Sequence, residues 1–167
     1  MNENQSRVID ACYSILDNAR YIFEIDLPIP IIVFSDRMTH CAGTYSYNPN
    51  SKCSKITFSN YIMEHNDVQA FIEDTVIHEM AHFIDRMKYG SLGHTDRFFS
   101  IMKLLGHKNP TRCHTFKTAP RKTHPYQCQK CGHIIELGAI RHSKFINKKR
   151  LYYHTACGGG LIKPIQD

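Results

Sequence analysis

Apolar residues recur with a helical period in three stretches of the chain. Over residues 5–23 they share one face, which predicts an amphipathic helix that packs as a lid on the core. Over residues 67–87 they surround most of a longer helix, as expected of a helix at the centre of a domain, and Asp67 suits its N-cap. Residues 95–105 predict one further helix.

Strand patterns lie between the first two predicted helices. The β-branched run at residues 31–34 is bounded by turn-like residues, and it predicts a buried strand. Residues 43–47 and 55–59 alternate in strand fashion, and the segment between them is rich in turn residues. These two strands are expected to form an antiparallel hairpin.

Composition excludes several classes of protein. With 42% apolar and 22% charged residues, the chain is neither disordered nor fibrous. No apolar run approaches the roughly 18 residues of a membrane helix, and the first residues lack the pattern of a secretory signal. We therefore expect a cytoplasmic protein without membrane contact. In that reducing compartment, an odd total of seven cysteines favours metal binding over a disulfide framework.

Charge is distributed unevenly along the chain. Residues 1–106 carry a net charge of −4, whereas residues 107–167 carry +10. Together with the periodicity, this predicts a first domain at 1–108, a linker at 109–125 and a small basic module at 126–163. So many basic residues in one module suggest a polyanionic partner, most often nucleic acid.

His78, Glu79 and His82 form an H-E-x-x-H motif in the predicted central helix. Histidines four residues apart stack on one helical face, about 6 Å apart, so both imidazoles can bind one metal ion. Glu79 is turned about 100° from His78 and can reach a water on that ion without becoming a ligand. Most neighbouring residues are apolar, and there two histidines and a carboxylate would be costly without a shared partner.

A catalytic zinc needs a third protein ligand. Lys88 stands where the metzincin pattern requires histidine, and the only downstream glutamate, Glu136, lies in the basic module. Asp85 lies about 10 Å along the helix axis from the first histidine, too far to share its ion easily. His94 remains as the third ligand, because it follows a glycine-containing turn and opens the next predicted helix.

A second metal motif lies in the basic module. Cys128 and Cys131 form C-x-x-C, and His154 and Cys157 form H-x-x-C at the same spacing. Two such pairs can close a tetrahedral zinc-ribbon site, and a structural ion explains how so small a module folds. We therefore expect two Zn²⁺ ions per chain, one catalytic and one structural.

The motif at residues 78–82, the Gly93-His94 turn and the apolar residues after it resemble the SprT/Spartan (SprT-like) zinc metalloprotease family, and the ribbon spacing strengthens this resemblance. It extends over about residues 5–163. The resemblance implies an α+β fold with a zincin-like protease domain, in which the HExxH helix packs under a small antiparallel sheet, plus a C-terminal zinc ribbon. It also implies an open active site that cleaves proteins crosslinked to DNA, as in DNA–protein crosslink repair.

One ribbon ligand departs from the family pattern. The family usually has cysteine where this chain has His154, so His133, His142 and Cys113 stay open as rivals. We retain His154 because imidazole is an ordinary zinc ligand and the spacing is kept.

The segment between the two ribbon pairs resembles the family's basic segment. Phosphate contacts are expected from Arg141, Lys144, Lys148, Lys149 and Arg150. Phe145, Tyr152 and Tyr153 suit stacking on exposed bases, which favours single-stranded or junction-containing DNA. The alternative is a solubilising hairpin whose aromatic residues pack over the zinc.

These features together predict a DNA-associated zinc endopeptidase that acts on proteins bound or crosslinked to DNA. Two alternatives are a non-catalytic zinc-containing DNA-binding adaptor, which an intact Glu79 disfavours, and a metallopeptidase that acts on free proteins. The strand at 55–59 is expected to be the edge that pairs with an extended substrate, through Ile56 and Thr57.

Overall fold

The computed structural model describes residues 1–165, which form two compact units. The first unit is Met1–Ala119, and the second begins at Pro120. The first unit contains, in chain order, α1 (Glu3–Phe23), β1 (Ile31–Ser35), β2 (Gly43–Asn48), β3 (Cys53–Ser59), α2 (Asn60–Glu64), α3 (Val68–Phe71), a π-helical segment (Ile72–Val76), α4 (Ile77–Tyr89) and α5 (Asp96–Leu104).

Helix α1 confirms the predicted amphipathic helix. It begins with a capping box, in which the Asn2 side chain accepts from the Gln5 amide and the Gln5 side chain accepts from the Asn2 amide. Residues spaced by three or four form its buried face: Val8, Cys12, Leu16, Ala19 and Phe23. This face packs on the core of the first unit.

The sheet of the first unit has the order β1-β3-β2. Strands β2 and β3 pair antiparallel, with Gly43 opposite Phe58 and Asn48 opposite Cys53, so the predicted hairpin is confirmed. Strand β1 runs parallel to β3, which makes the sheet mixed where an antiparallel one was expected.

The prediction that residues 31–34 form a buried strand is wrong. Strand β1 lies at the edge of the sheet, where Ile31 is 52% and Val33 38% exposed. Ile32 and Phe34 point to the opposite face and pack against the core. A run of four apolar residues therefore provides one buried face here, because no layer formed by residues 1–165 covers the other face.

The prediction that the 55–59 strand is a substrate-pairing edge is also wrong. Strand β3 is the central strand, paired with β1 on one side and with β2 on the other. Ile56 is fully buried, and Thr57 is paired with strand residues on both sides. The backbone hydrogen bonds that a substrate would need are therefore already used within the sheet.

Helical backbone continues from α3 through the π-helical segment into α4, which confirms the predicted central helix. The Asp67 carboxylate caps its start by accepting from the amides of Gln69 and Ala70. Gly90 ends it in the left-handed conformation, with φ of 73°. The π-helical turn was not predicted, and such turns are frequent at functional sites.

Helix α5 packs against α4 and starts where the sequence predicts. The Thr95 hydroxyl caps it by accepting from the Phe98 amide. Phe98 and Met102 are fully buried. The core of the first unit contains these residues together with other large buried side chains from α1, the sheet, α3 and α4: Leu16, Ile56, Phe58, Phe71, Met80, Phe83 and Ile84.

Residues 107–119 belong to the first unit, although the sequence places most of them in a linker. Asn66 and the backbone of Lys117 exchange two hydrogen bonds of 2.9 and 3.2 Å. The Phe116 ring lies 5.9 Å from that of Phe71, between ring centroids. These contacts hold an aperiodic segment against the core without regular secondary structure.

The second unit contains β4 (Thr123–Cys128), β5 (Ile134–Gly138), α6 (Ala139–Ile146), β6 (Tyr153–His154), a 3₁₀ turn (Thr155–Cys157) and β7 (Gly160–Pro164). Its antiparallel sheet has the order β5-β4-β7-β6. The buried core is small: Tyr126, Cys128, Leu137 and Ile162.

Within residues 1–165, no helix combines the length and the apolar character needed to span a membrane.

Candidate metal centres and their surroundings

Three histidine side chains of the first unit converge on one point. The Nε2 atom of His94 lies 3.0 Å from Nε2 of His78 and 3.2 Å from Nε2 of His82. Within the described residues, these three form one of two groups whose ligand atoms all lie within 4.8 Å of one another. The structure thus brings together the three ligands that the sequence proposes for this centre.

Two adjoining elements hold these histidines. His78 and His82 are separated by one turn of α4, so their rings project from the same face. Gly90 ends α4, the chain reverses, and His94 comes just before Thr95, the N-cap of α5. The turn after Gly90 and the cap at Thr95 together place the His94 imidazole against the face of α4 that carries His78 and His82.

The donor set is compatible with zinc. For a tetrahedral ion with Zn–N bonds of about 2.05 Å, two ligand nitrogens stand about 3.3 Å apart, close to the observed separations. A hydrogen bond with the backbone of Thr111 also acts on the pKa of His78, in the direction that raises it. The group therefore provides three protein ligands of a candidate metal centre.

Burial keeps these imidazoles neutral. It lowers the pKa of His78 to about 3 and that of His82 to about 4, with the neighbouring imidazoles adding to the effect. The pKa of His94 is also lowered, by burial and by the nearby Arg112. Near neutral pH the rings are therefore already in the form that binds metal.

Glu79 directly follows His78 in α4. Its side chain is buried, and burial raises the pKa of its carboxyl to about 8, against an opposing hydrogen bond from the backbone of Tyr45. A raised pKa places this group near the operating range of a general base. The three histidines and Glu79 line the same cavity.

The raised pKa of Glu79 predicts a pH-dependent stability difference in the metal-free protein. Between about pH 4.5 and pH 8 the folded state holds a proton on Glu79 that the unfolded state releases. The wild type should therefore lose stability relative to Glu79→Gln as the pH rises through this window. Urea unfolding at pH 5, 6.5 and 8 measures the difference.

The exposed Glu73, on the same helix, provides the matched control. Urea unfolding of its glutamine variant at the same three pH values measures the effect of removing a carboxylate that is not buried. A difference for Glu79→Gln that does not change with pH would contradict the proposed burial effect.

The cavity in front of the histidines has a volume of about 640 Å³. Its walls come from β2 and the preceding loop, the π-helical segment, α4, and residues 107–114. The polar or titratable lining residues outside the four already named include His40, Cys41, Thr44, Tyr45, Asp74, Thr75, His107, Thr111, Arg112, Cys113 and His114. Most of these residues were not singled out from the sequence.

Residues 107–114 form a part of this wall that was not predicted from the sequence. His107 Nε2 lies 3.1 Å from an Asp74 carboxylate oxygen on the π-helical segment, and its side chain is only 9% exposed. Arg112 adds a cationic side chain to the cavity wall. The concentration of histidine, cysteine and arginine in a segment without periodicity was the available signal.

The Asp85 side chain interacts with Arg97 of α5 and not with any of the three histidines. Its fully buried carboxylate accepts a hydrogen bond of 2.7 Å from Nε of Arg97 and forms an ion pair with it. This pair joins α4 to α5 one turn beyond the metal centre.

The second group of possible metal ligands lies in the second unit. Sγ of Cys128 is 3.5 Å from Sγ of Cys157, and Sγ of Cys131 is 3.2 Å from Nδ1 of His154. All four ligand atoms lie within 4.8 Å of one another, as four ligands of one tetrahedral ion must.

The three rival ligands lie in other surroundings. His133 stacks on the ring of His154 at 5.0 Å between ring centroids. Nδ1 of His142 is 3.0 Å from the Tyr126 hydroxyl, and its ring stacks on His124. Cys113 lines the cavity of the first unit. The structure groups His154, not its rivals, with the three cysteines.

Local backbone geometry favours an anionic sulfur in this second group. Burial opposes ionisation of Cys128, but hydrogen bonds from the backbone of Cys131 and Lys130 and from neighbouring thiols lower its pKa to about 6. Gly160 lies directly against the sulfurs, where a Cβ atom would overlap Sγ of Cys128. A side chain at this position would therefore disturb the ligand cluster.

The five predicted phosphate-contacting residues are exposed. Arg141 and Lys144 lie on α6, and Lys148, Lys149 and Arg150 follow it. The aromatic residues divide into two kinds. Phe145 and Tyr152 pack on the core of the second unit, whereas Tyr153 is 54% exposed.

The sequence model of the SprT-like family matches residues 13–123, more than half of the chain. The chain belongs to the SprT-like family. The matched range contains the first metal centre and ends before Cys128, so the SprT-like match covers the histidine group and not the cysteine group.

Several relatives in this family carry the name Protein SprT. The one from Pasteurella multocida (strain Pm70) is 32% identical over 96 residues, which cover 56% of this chain and 57% of that protein. The one from Pseudomonas aeruginosa (strain LESB58) is 28% identical over 167 residues, covering 97% and 95%. The one from Serratia proteamaculans (strain 568) is 27% identical over 149 residues, covering 87% and 83%. The similarity to the second relative thus extends through both units.

Proposed function

We propose that this protein is a zinc-dependent endopeptidase with a zincin-like catalytic domain. The observation that carries the proposal is the convergence of three Nε2 atoms in a cavity that also holds a buried glutamate. A purely structural site would be closed by a fourth protein ligand and would need no base. Membership in the SprT-like family is compatible with a metallopeptidase.

Each residue of the first centre has a distinct role in this reaction. His78, His82 and His94 would hold the ion. When bound, zinc supplies a Lewis acid that polarises the scissile carbonyl and makes water a stronger nucleophile. Glu79 accepts the proton of the attacking water and passes it to the leaving amine. Its buried position near the histidines suits both steps.

Strand β2 replaces β3 as the proposed substrate-pairing strand. It lies at the edge of the sheet, and Gly43, Thr44 and Tyr45 line the cavity. An extended peptide that pairs with this edge would bring its backbone past Glu79 and the histidines. Recognition through backbone hydrogen bonds tolerates many side chains in the substrate.

The second unit is proposed to be a zinc ribbon that binds DNA. Its ligand group of three cysteines and one histidine suits a structural zinc. The exposed basic residues on and after α6 suit phosphate contacts. Because Phe145 and Tyr152 pack in the core, Tyr153 is the remaining aromatic of that segment for stacking on bases.

The substrate class follows from combining the two units. DNA binding by the ribbon would raise the local concentration of proteins attached to the same DNA near the catalytic cavity. We therefore propose that the substrates are proteins bound or crosslinked to DNA.

A cleavage assay tests this function. A protein crosslinked to single- or double-stranded DNA and the same protein free in solution are incubated with zinc-loaded wild type and with Glu79→Gln. The proposal requires cleavage by the wild type that is stronger for the DNA-attached form. Equal cleavage of both forms would indicate a peptidase for free proteins, and no cleavage of either would indicate a non-catalytic adaptor.

The two metal centres should be separable by mutation. His94→Ala removes one of three ligands from the first centre and should lose that ion while the ribbon keeps its own. Cys128→Ser should lose the ribbon ion and unfold the second unit, because the small core there depends on the metal. Metal analysis should give two zinc ions for the wild type and one for each variant.

Exposed residues of the same types serve as controls. His65→Ala and Cys53→Ser change residues of the first unit outside both ligand groups and should retain two ions. One ion per fully loaded wild-type chain would contradict the assignment of two centres.

A further inference from the structure

We propose that Gly43 is a positioning residue for Glu79. The missing side chain at the start of β2 leaves the space through which the Glu79 side chain extends toward the metal centre. The catalytic consequence rests on the proposed peptidase function, whereas the steric relation between the two residues does not.

The contacts at Gly43 are unusually close. A Cβ atom built on this residue would lie 2.7 Å from Cγ of Glu79 and 3.1 Å from its Oε1. It would also lie 2.8 Å from Cγ2 of Thr75, on the π-helical segment. Two of these separations are shorter than real side-chain contacts allow, so any other residue here must displace its neighbours.

Backbone conformation does not explain the glycine. The φ angle of Gly43 lies outside the left-handed region, so an L-amino acid could adopt it without strain. Glycine weakens a strand, and in that position it often marks a close approach of another group. Here the approaching group is the side chain of the proposed general base.

The surrounding contacts prevent the strand from retreating. The Ser59 amide donates a 2.9 Å hydrogen bond to the carbonyl of Ala42, just before Gly43. Gly43 itself is paired with Phe58 of the central strand. The Tyr45 backbone contributes a hydrogen bond to the Glu79 carboxylate. A methyl group at position 43 would therefore move Glu79 more readily than it would move β2.

Catalysis provides the first test. Gly43→Ala should retain both zinc ions, because the three histidines are untouched, and its KM for a short peptide should change far less than its kcat. Its kcat should fall by about 100-fold, the loss expected when a reacting group is displaced by about 1 Å. Gly138→Ala adds the same methyl group where no heavy atom lies within 4 Å, and it provides the matched control.

Stability provides a test that needs no activity. In metal-free protein, Gly43→Ala should lower the urea midpoint through its overlap with Glu79. In a Glu79→Ala background the Cγ atom of residue 79 is absent. The decrease in urea midpoint caused by Gly43→Ala should then be less than about half of the decrease seen when Glu79 is present. This comparison holds even if the wild type cleaves no substrate, a result that would reject the proposed function alone.

A variant at Thr75 tests whether Gly43→Ala acts through Glu79 or through general crowding of the residues around position 43. The double variant Gly43→Ala/Thr75→Ser removes the overlap with Cγ2 of Thr75 and keeps the one with Glu79. We expect it to bind zinc and to stay as slow as Gly43→Ala.

Three results would overturn the proposal. The first is wild-type kcat in zinc-loaded Gly43→Ala, and the second is recovery of kcat in the double variant. The third is an equal stability cost of Gly43→Ala with and without Glu79. If both Gly43 variants lose zinc or fail to fold, the glycine serves the fold, and the positioning role is likewise rejected.

Discussion

Replacing Glu79 with glutamine should lower kcat for peptide cleavage by about 10²- to 10⁴-fold, which is the usual contribution of general acid–base catalysis. The amide keeps the shape of the carboxylate but cannot accept a proton from water. Because Glu79 is not part of the histidine group that would hold the ion, the variant should retain two zinc ions. Steady-state cleavage of a short peptide, with metal content measured on the same samples, gives the result.

The control for this variant is Glu73→Gln, which removes an exposed carboxylate from the same continuous helix. It should cleave the peptide at the wild-type rate. Near wild-type activity of zinc-loaded Glu79→Gln would show that another group takes the proton or that the reaction is a different one. Loss of zinc from Glu79→Gln would show that the carboxylate helps to hold the ion.

Glu79 and Gly43 should act as one unit in catalysis. A Cβ atom at position 43 would overlap the side chain of the proposed base and that of Thr75, so there is no room for a methyl group. A fixed carboxylate needs no reorientation when the substrate binds. Removing the base or displacing it should therefore have similar consequences for kcat, and the two losses should not add.

The helices were predictable because their signals are local. The apolar period and capping residues of α1, α4 and α5 act over a few neighbouring positions, and they place these helices within a few residues. The π-helical segment at Ile72–Val76 left no such signal. Apolar residues surround most of this helix, so its hydrophobic pattern does not show one extra residue in a turn.

The sheet was harder to predict because its order depends on distant residues. The hairpin of β2 and β3 follows from a short turn, but nothing within those residues indicates that β1 adds beside β3. Because β1 pairs with β3, the two edges of the sheet are β1 and β2, and β3 is central. This order also explains why a substrate edge was assigned to β3 in error and why β2 is the better proposal.

The histidine group was accessible from the sequence through spacing and elimination, whereas the cavity wall was not. His107, Arg112 and His114 come from an aperiodic segment whose position depends on contacts with Asp74, Asn66 and Phe71. Those partners lie more than thirty residues earlier in the chain. Spacing within 107–119 therefore carries no information about the cavity it borders.

Neutralising the basic segment of the second unit should reduce DNA affinity and its dependence on salt. The variant changes Arg141, Lys144, Lys148, Lys149 and Arg150 to glutamine, all of which are exposed. If each contacts about one phosphate, the log–log salt slope should fall by about 4 to 5 for duplex DNA and by about 3 to 4 for single strands. Binding measured across a salt series gives both quantities.

A control variant removes three positive charges from the first unit, at the exposed residues Arg37, Lys55 and Lys103. This triple glutamine variant should keep the wild-type salt slope, because a general change in net charge does not remove specific phosphate contacts.

The five-residue variant should also lose cleavage of a DNA-attached protein while it still cleaves a short free peptide, since Glu79 and the three histidines are unchanged. Unchanged affinity and slope would mean that the basic segment is only a solvated surface. The link between DNA and proteolysis would then have to come from other residues, and the proposal for this segment would be withdrawn.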